Sequence, residues 1–197
     1  GPGPEEKSPY LYLGDIGDNR ARHARIYIYR LPEPLVKISQ PPIDTLLSGI
    51  KKITLRYPDG QRDAETLLSD PITRDLYIIS KREQNVSVYK IPYPQSLTEV
   101  ITMEKIGTLP MTTVTGGDIS MSGTEILVRN YRSIYYWKRS RKQTVAEALS
   151  APPEKLPYSY EPQGEAVTWH PDLAGYYTVS EEPAGLPAYL YFYPWTK

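Results

Sequence analysis

Arg62-Asp63-Ala64-Glu65-Thr66-Leu67-Leu68-Ser69-Asp70-Pro71, followed across a turn by Asp75-Leu76-Tyr77-Ile78-Ile79-Ser80-Lys81-Arg82, is the stretch whose pattern decides the fold. An acid heads a short apolar run, and Asp with Pro then turns the chain into a β-branched and aromatic run. Two strands joined by a tight connection have this signature. The plan recurs twice. Gly116-Gly117-Asp118-Ile119-Ser120-Met121-Ser122-Gly123 precedes Glu125-Ile126-Leu127-Val128-Arg129-Asn130, and Gln163-Gly164-Glu165-Ala166-Val167-Thr168-Trp169-His170-Pro171-Asp172 precedes Gly175-Tyr176-Tyr177-Thr178-Val179-Ser180-Glu181. Each copy continues in a further alternating strand, at 86–92, 133–138 and 188–194. A fourth copy opens the chain without its first strand, as Tyr10-Leu11-Tyr12-Leu13-Gly14-Asp15 and then 25–32.

The copies lie roughly fifty residues apart, the period of four-stranded propeller blades. Outermost strands are expected at 50–57 and 101–107. An immunoglobulin-like sandwich would place strands as densely but would not return an acid to the head of every unit. The fold class expected is therefore all-β, a β-propeller of four-stranded antiparallel blades, about four in this chain with the first incomplete. Thr144-Val145-Ala146-Glu147-Ala148-Leu149 reads as a short helix stopped by Pro152-Pro153, set between the third and fourth strands of one blade. Residues 1–9 read as a cleavage scar and disordered leader, and 10–197 as one propeller domain. A ring that starts in mid-blade leaves an edge strand open to another chain. A truncated ring, or one completed by a homo-oligomeric partner, is accordingly expected.

Composition narrows the functions. Lys plus Arg (23) equals Asp plus Glu (23), so the basic excess of a nucleic-acid binder is missing. The basic run 138–142 reads as a solvated loop. Zero Cys excludes disulfides, thiolate zinc sites and a thiol nucleophile. No apolar run is long enough to span a bilayer as a helix. Eighteen Tyr and 20 Pro favour short strands and turns over long helices. A secreted or extracellular setting is mildly favoured, and Asn85-Val86-Ser87 matches a glycosylation sequon.

The runs Leu13-Gly14-Asp15-Ile16-Gly17-Asp18-Asn19, Asp63-Ala64-Glu65, Thr115-Gly116-Gly117-Asp118-Ile119-Ser120 and Pro162-Gln163-Gly164-Glu165-Ala166 fall in one order along the chain. In these the sequence resembles a family of largely uncharacterised, mainly bacterial β-propeller proteins. The resemblance implies the propeller fold and supplies no reaction. Members of that family carry a further N-terminal blade with an Asn-Asp-Ser-Gly-type motif and an acidic strand that this chain lacks, which again points to a shortened form.

In a propeller the first strand of each blade lines the central channel. Glu65, Asp118 and Glu165 are read as matching heads of three such strands, and the repeat converges them on one axis. Three outcomes are open: local pairing of these acids, a Ca²⁺ ion relieving their repulsion, or a catalytic carboxylate cluster. Asp15 and Asp18 are candidate metal ligands too, although their run lacks EF-hand spacing and also fits an Asx turn. Arg62, Lys81, Arg82, Arg129 and Glu181 are the candidate polar lining of the channel. His23 and His170 sit away from the inner-strand heads, which disfavours a histidine-based hydrolase. The function expected is a non-catalytic protein- or ligand-binding scaffold working through a loop face, with a cation at its channel. The alternative is a metal-dependent lactone or ester hydrolase.

Overall fold

The computed structural model describes residues 1–5, 8–37, 39–182 and 185–195. Residues 6 and 7 of the expected leader lie outside the described residues.

Alternation of small or branched apolar residues with polar ones gives four sheets. The first holds β1 (Tyr10–Asp15), β2 (Ile26–Pro32), β3 (Lys51–Arg56) and β7 (Val100–Thr102). The second runs β4 (Ala64–Ser69), β5 (Leu76–Ser80), β6 (Val86–Ile91) and β8 (Glu104–Leu109). The third comprises β9 (Val114–Ile119), β10 (Glu125–Asn130), β11 (Ser133–Lys138) and β12 (Glu154–Leu156). The fourth has β13 (Gly164–Trp169), β14 (Gly175–Ser180) and β15 (Tyr191–Pro194). These are the four blades of a β-propeller, in which β4, β9 and β13 are innermost. Helix α1 (Val145–Leu149) lies between β11 and β12, where Thr144 and Glu147 form a capping box.

Two elements depart from the sequence reading. The strand expected at 101–107 divides at Met103, whose side chain is buried between blades 1 and 2. Its first part, β7, adds in parallel to β3, and its second part, β8, closes blade 2. Hence 50–57 is not the outermost strand of blade 1. In blade 4 only Tyr191–Pro194 pairs with β14, while Tyr189 and Leu190 stay exposed.

Three apolar clusters join successive blades. Ile26, Ile28, Ile53 and Leu55 meet Leu76, Ile78, Tyr89 and Ile91 between blades 1 and 2. Tyr77, Ile79 and Val88 meet Val114, Ile126 and Trp137 between blades 2 and 3. Leu127 and Tyr136 meet Val167, Trp169 and Tyr176 between blades 3 and 4, where Trp169 packs edge-on against Tyr136 and Tyr176. Much of the aromatic content is thus packing, since a flat ring fills the space between twisted sheets. Among the described residues no such cluster joins blade 4 to blade 1. Leu11 and Leu13, on the face of blade 1 turned away from blade 2, are 40% and 55% exposed. Their register equivalents Leu76 and Ile78 are fully buried.

Candidate functional site

Ladder register shows which inner-strand residues are equivalent. In blade 2, Ser80 pairs with Ala64 and Ile79 with Thr66, so Glu65 is bulged out of the ladder. In blade 4, Ser180 pairs with Gly164 and Val179 with Ala166, which bulges Glu165. In blade 3, Asn130 pairs with Val114 and Arg129 with Gly116, which bulges Thr115. Such bulges re-aim a side chain at the end of a strand. Glu65, Thr115 and Glu165 therefore hold one structural position at intervals of fifty residues. The expected equivalence of Asp118 with the two glutamates is corrected. Asp118 shares the rank of Leu68 and Thr168, three residues and about 10 Å further along the strand. Thr115 went unnoticed because it carries no charge, although the fifty-residue interval points to it. Its hydroxyl donates to the Gly164 carbonyl at 2.9 Å and so ties blade 3 to blade 4. At Gly116 a Cβ would lie 2.6 Å from the Glu165 carbonyl oxygen, so only glycine permits this approach of β9 to β13.

The second strands follow the same register. Lys81, Tyr131 and Glu181 are equivalent, and Arg129 belongs with Ile79 and Val179 instead. The Lys81 ammonium lies 2.5 Å from Glu65 Oε2 and donates to the Tyr131 hydroxyl at 3.0 Å. Burial works to lower the Lys81 pKa, but these two partners outweigh it and hold the ammonium above its usual range. Burial pushes the Glu165 carboxyl up, the Glu65 charge pushes the same way, and Lys81 opposes both. Register thus sets Glu65, Lys81, Tyr131, Glu165 and Glu181 at one end of the first two strands of their blades, where Lys81 joins Glu65 to Tyr131. Asp118 is apart from it. Its carboxylate accepts from the Thr168 hydroxyl at 2.7 Å and the Trp169 N–H at 2.9 Å. Burial nevertheless raises its pKa.

The remaining candidates have other neighbours. Arg62 bridges Asp59 and Glu83, and Arg82 binds Asp63 and Asn19. Arg129 is wholly buried, with Nη1 2.8 Å from Glu161 and donating to the Ala166 carbonyl. None of Arg62, Lys81, Arg82, Arg129 or Glu181 forms part of the cavity wall. The Asp18 carboxylate accepts from the backbone N–H groups of Arg22 and His23, as in an Asx-type turn, and its own N–H donates to Asp63 Oδ1. Asp15 is exposed at the end of β1. Among the described residues no three His, Asp or Glu side chains come close enough to share a metal ion.

Between the inner strands lies a cavity of about 1240 Å³. Its wall takes residues from β4, β9 and β13, including Glu65, Asp118 and Glu165, together with Tyr12 and Gly14 of β1 and His170 at the turn after β13. The three acids proposed from sequence share this cavity at different depths.

No protein-family model matches the sequence, and no curated protein matches it either. The fold has counterparts among solved structures. A chain of the nidogen/laminin complex superposes with a TM-score of 0.54 at 12% identity, covering 92% of this chain and 61% of that one. Hydrazine synthase of Kuenenia stuttgartiensis gives 0.49 at 12% identity over 74% and 39%. A gluconolactonase from Xanthomonas campestris gives 0.39 at 16% identity over 81% and 52%. The first likeness bears out the propeller fold; at such identities it extends to fold alone. This chain spans between 39% and 61% of the length of these three structures.

Proposed function

We propose that the protein is a non-catalytic binding scaffold that receives its ligand in the central cavity. The observation that carries this reading is the cavity itself, about 1240 Å³ and walled by the innermost strands of three blades. That exceeds the roughly 300–1,000 Å³ of typical small-molecule pockets, and so favours an elongated ligand. The state of the acids supports binding over chemistry. Two of the three are held by the protein, Glu65 by Lys81 and Asp118 by Thr168 and Trp169, which leaves those two carboxylates anchored. The rigid strands around them are the kind of frame on which recognition surfaces are mounted.

The test fills the cavity. Ala166 is exposed on the cavity wall, and Ala166→Trp adds a large side chain there. A peptide and small-amine panel is screened by thermal shift on wild type, Ala166→Trp and the distant Leu46→Trp. Ligands that raise the melting temperature of wild type and Leu46→Trp but not of Ala166→Trp bear the reading out. Equal shifts in all three, or turnover of lactone or ester probes that Glu165→Gln abolishes, would reject it.

A further inference from the structure

Among the described residues four cationic side chains are buried: Arg30, Lys81, Arg129 and Arg139. Three of them have a carboxylate within 2.9 Å, Lys81 in Glu65, Arg129 in Glu161 and Arg139 in Asp70. Arg30, 6% exposed, has none among the described residues. Its Nη1 donates to the Gln95 amide oxygen at 3.4 Å, a long contact to an uncharged acceptor, and its Nε has no partner. A guanidinium does not lose its proton in a protein, so Arg30 cannot escape the cost of burial by becoming neutral.

The ladder shows how other blades treat this place. Arg30 lies opposite Tyr12, as Lys90 lies opposite Tyr77 in blade 2 and Tyr136 opposite Leu127 in blade 3. In those two blades the residue two positions earlier on the second strand is an acid, Asp75 or Glu125. Lys90 Nζ is 3.1 Å from Asp75, and the Tyr136 hydroxyl donates to Glu125. Blade 4 drops both members, with Phe192 opposite Tyr177 and Gly175 in the place of the acid. Blade 1 keeps the cation but puts Tyr10 where the acid belongs. Ile26, Ile28 and Arg30 share one face of β2, the face packed on blade 2. There Gln95, itself 6% exposed, reaches from Arg30 to the Arg74 carbonyl, to which its Nε2 donates at 3.1 Å.

We propose that Arg30, with Gln95 beside it, is a binding site between blades 1 and 2 for the carboxylate group of a small organic acid. The ligand supplies the charge that Asp75 and Glu125 supply in the next two blades. The planar fork of a guanidinium matches a carboxylate, and Nε is the donor left over for it. Burial selects a monoanion, because the cost of stripping water from an ion climbs with its charge. This site is separate from Glu65, Asp118 and Glu165 and stands whether or not the central cavity takes a ligand.

The test titrates sodium acetate into ¹⁵N-labelled protein at constant ionic strength and follows the Arg30 Nε–H resonance. A saturable shift of that resonance is expected. Thermal melts run beside it on wild type, Arg30→Met and Arg56→Met, the last removing an exposed arginine as control. Acetate should raise the melting temperature of wild type and Arg56→Met, with the response of Arg30→Met at least about tenfold weaker. Without acetate, Arg30→Met should melt no lower than wild type, since it removes a buried charge that the protein does not pair. An unmoved Nε–H resonance, or an acetate response equal in all three proteins, would overturn the site. A marked loss of stability in acetate-free Arg30→Met would do the same, because the protein would then be satisfying Arg30 by itself. Inorganic phosphate saturating the resonance at lower concentration than acetate would overturn the assignment to a carboxylate.

Discussion

Gly164→Ala adds a single methyl group and should be among the most damaging small changes available. The ideal Cβ at Gly164 falls 1.6 Å from Arg129 Nη2 and 2.3 Å from its Cζ. Ordinary contact begins near 3.4 Å, so the guanidinium would have to retreat by about 2 Å. It has nowhere to go: Arg129 is 0% exposed, its Nη1 is 2.8 Å from Glu161, and its plane lies over Tyr158. Displacement separates a buried ion pair, and Glu161 is itself 3% exposed. Breaking such a pair costs about 3–5 kcal/mol. At about 2–4 °C per kcal/mol for a chain of this size, the melting temperature should fall by roughly 6–20 °C. Circular dichroism melts with urea titration measure this directly. Gly107→Ala is the control, since a Cβ there meets nothing within 4 Å. A fall of less than about 3 °C for Gly164→Ala would refute the argument, because it would mean Arg129 is free to move.

Arg139 and Asp70 form a second buried pair at 2.9 Å, holding the turn after β11 to blade 2. Arg139→Met should cost about 3–5 kcal/mol in urea unfolding, and adding Asp70→Asn should recover much of it by removing the stranded charge. Glu165 predicts a pH effect. Burial and Glu65 raise its pKa in the fold above its ordinary 4.5, so stability falls as pH climbs from that value through the raised one. Thermal melts from pH 4 to 8 should find Glu165→Gln gaining on wild type across this window, and a pH-independent difference would contradict the assignment. Asp18 behaves in the opposite sense. The His23 and Arg22 N–H groups lower its pKa against the opposing pull of burial, so its contribution is present above its ordinary 3.8 and is lost as pH falls through the lowered value. Asp18→Asn should therefore be less stable at neutral pH, with the gap narrowing in acid.

The blades were legible in the sequence because each unit carries its signal locally. Alternation marks the strands, Asp-Pro and Ser-Gly mark the turns, and Thr144 with Glu147 marks the helix start. The fifty-residue recurrence supplied the propeller, since units of one plan can bury their apolar faces only against one another. Register was beyond reach. A bulge is a mismatch counted between two strands, so the fifty-residue interval could point to Thr115, but only the ladder put it in the place read for Asp118 and gave the true rank of Arg129. The same limit hid the split at Met103, where a buried side chain hands one run of sequence to two blades. The cavity beside β1 is the furthest from sequence, for it is made by the distance between elements. A chain records which groups prefer to be paired or buried; only the packed sheets determine which of them are left facing open space.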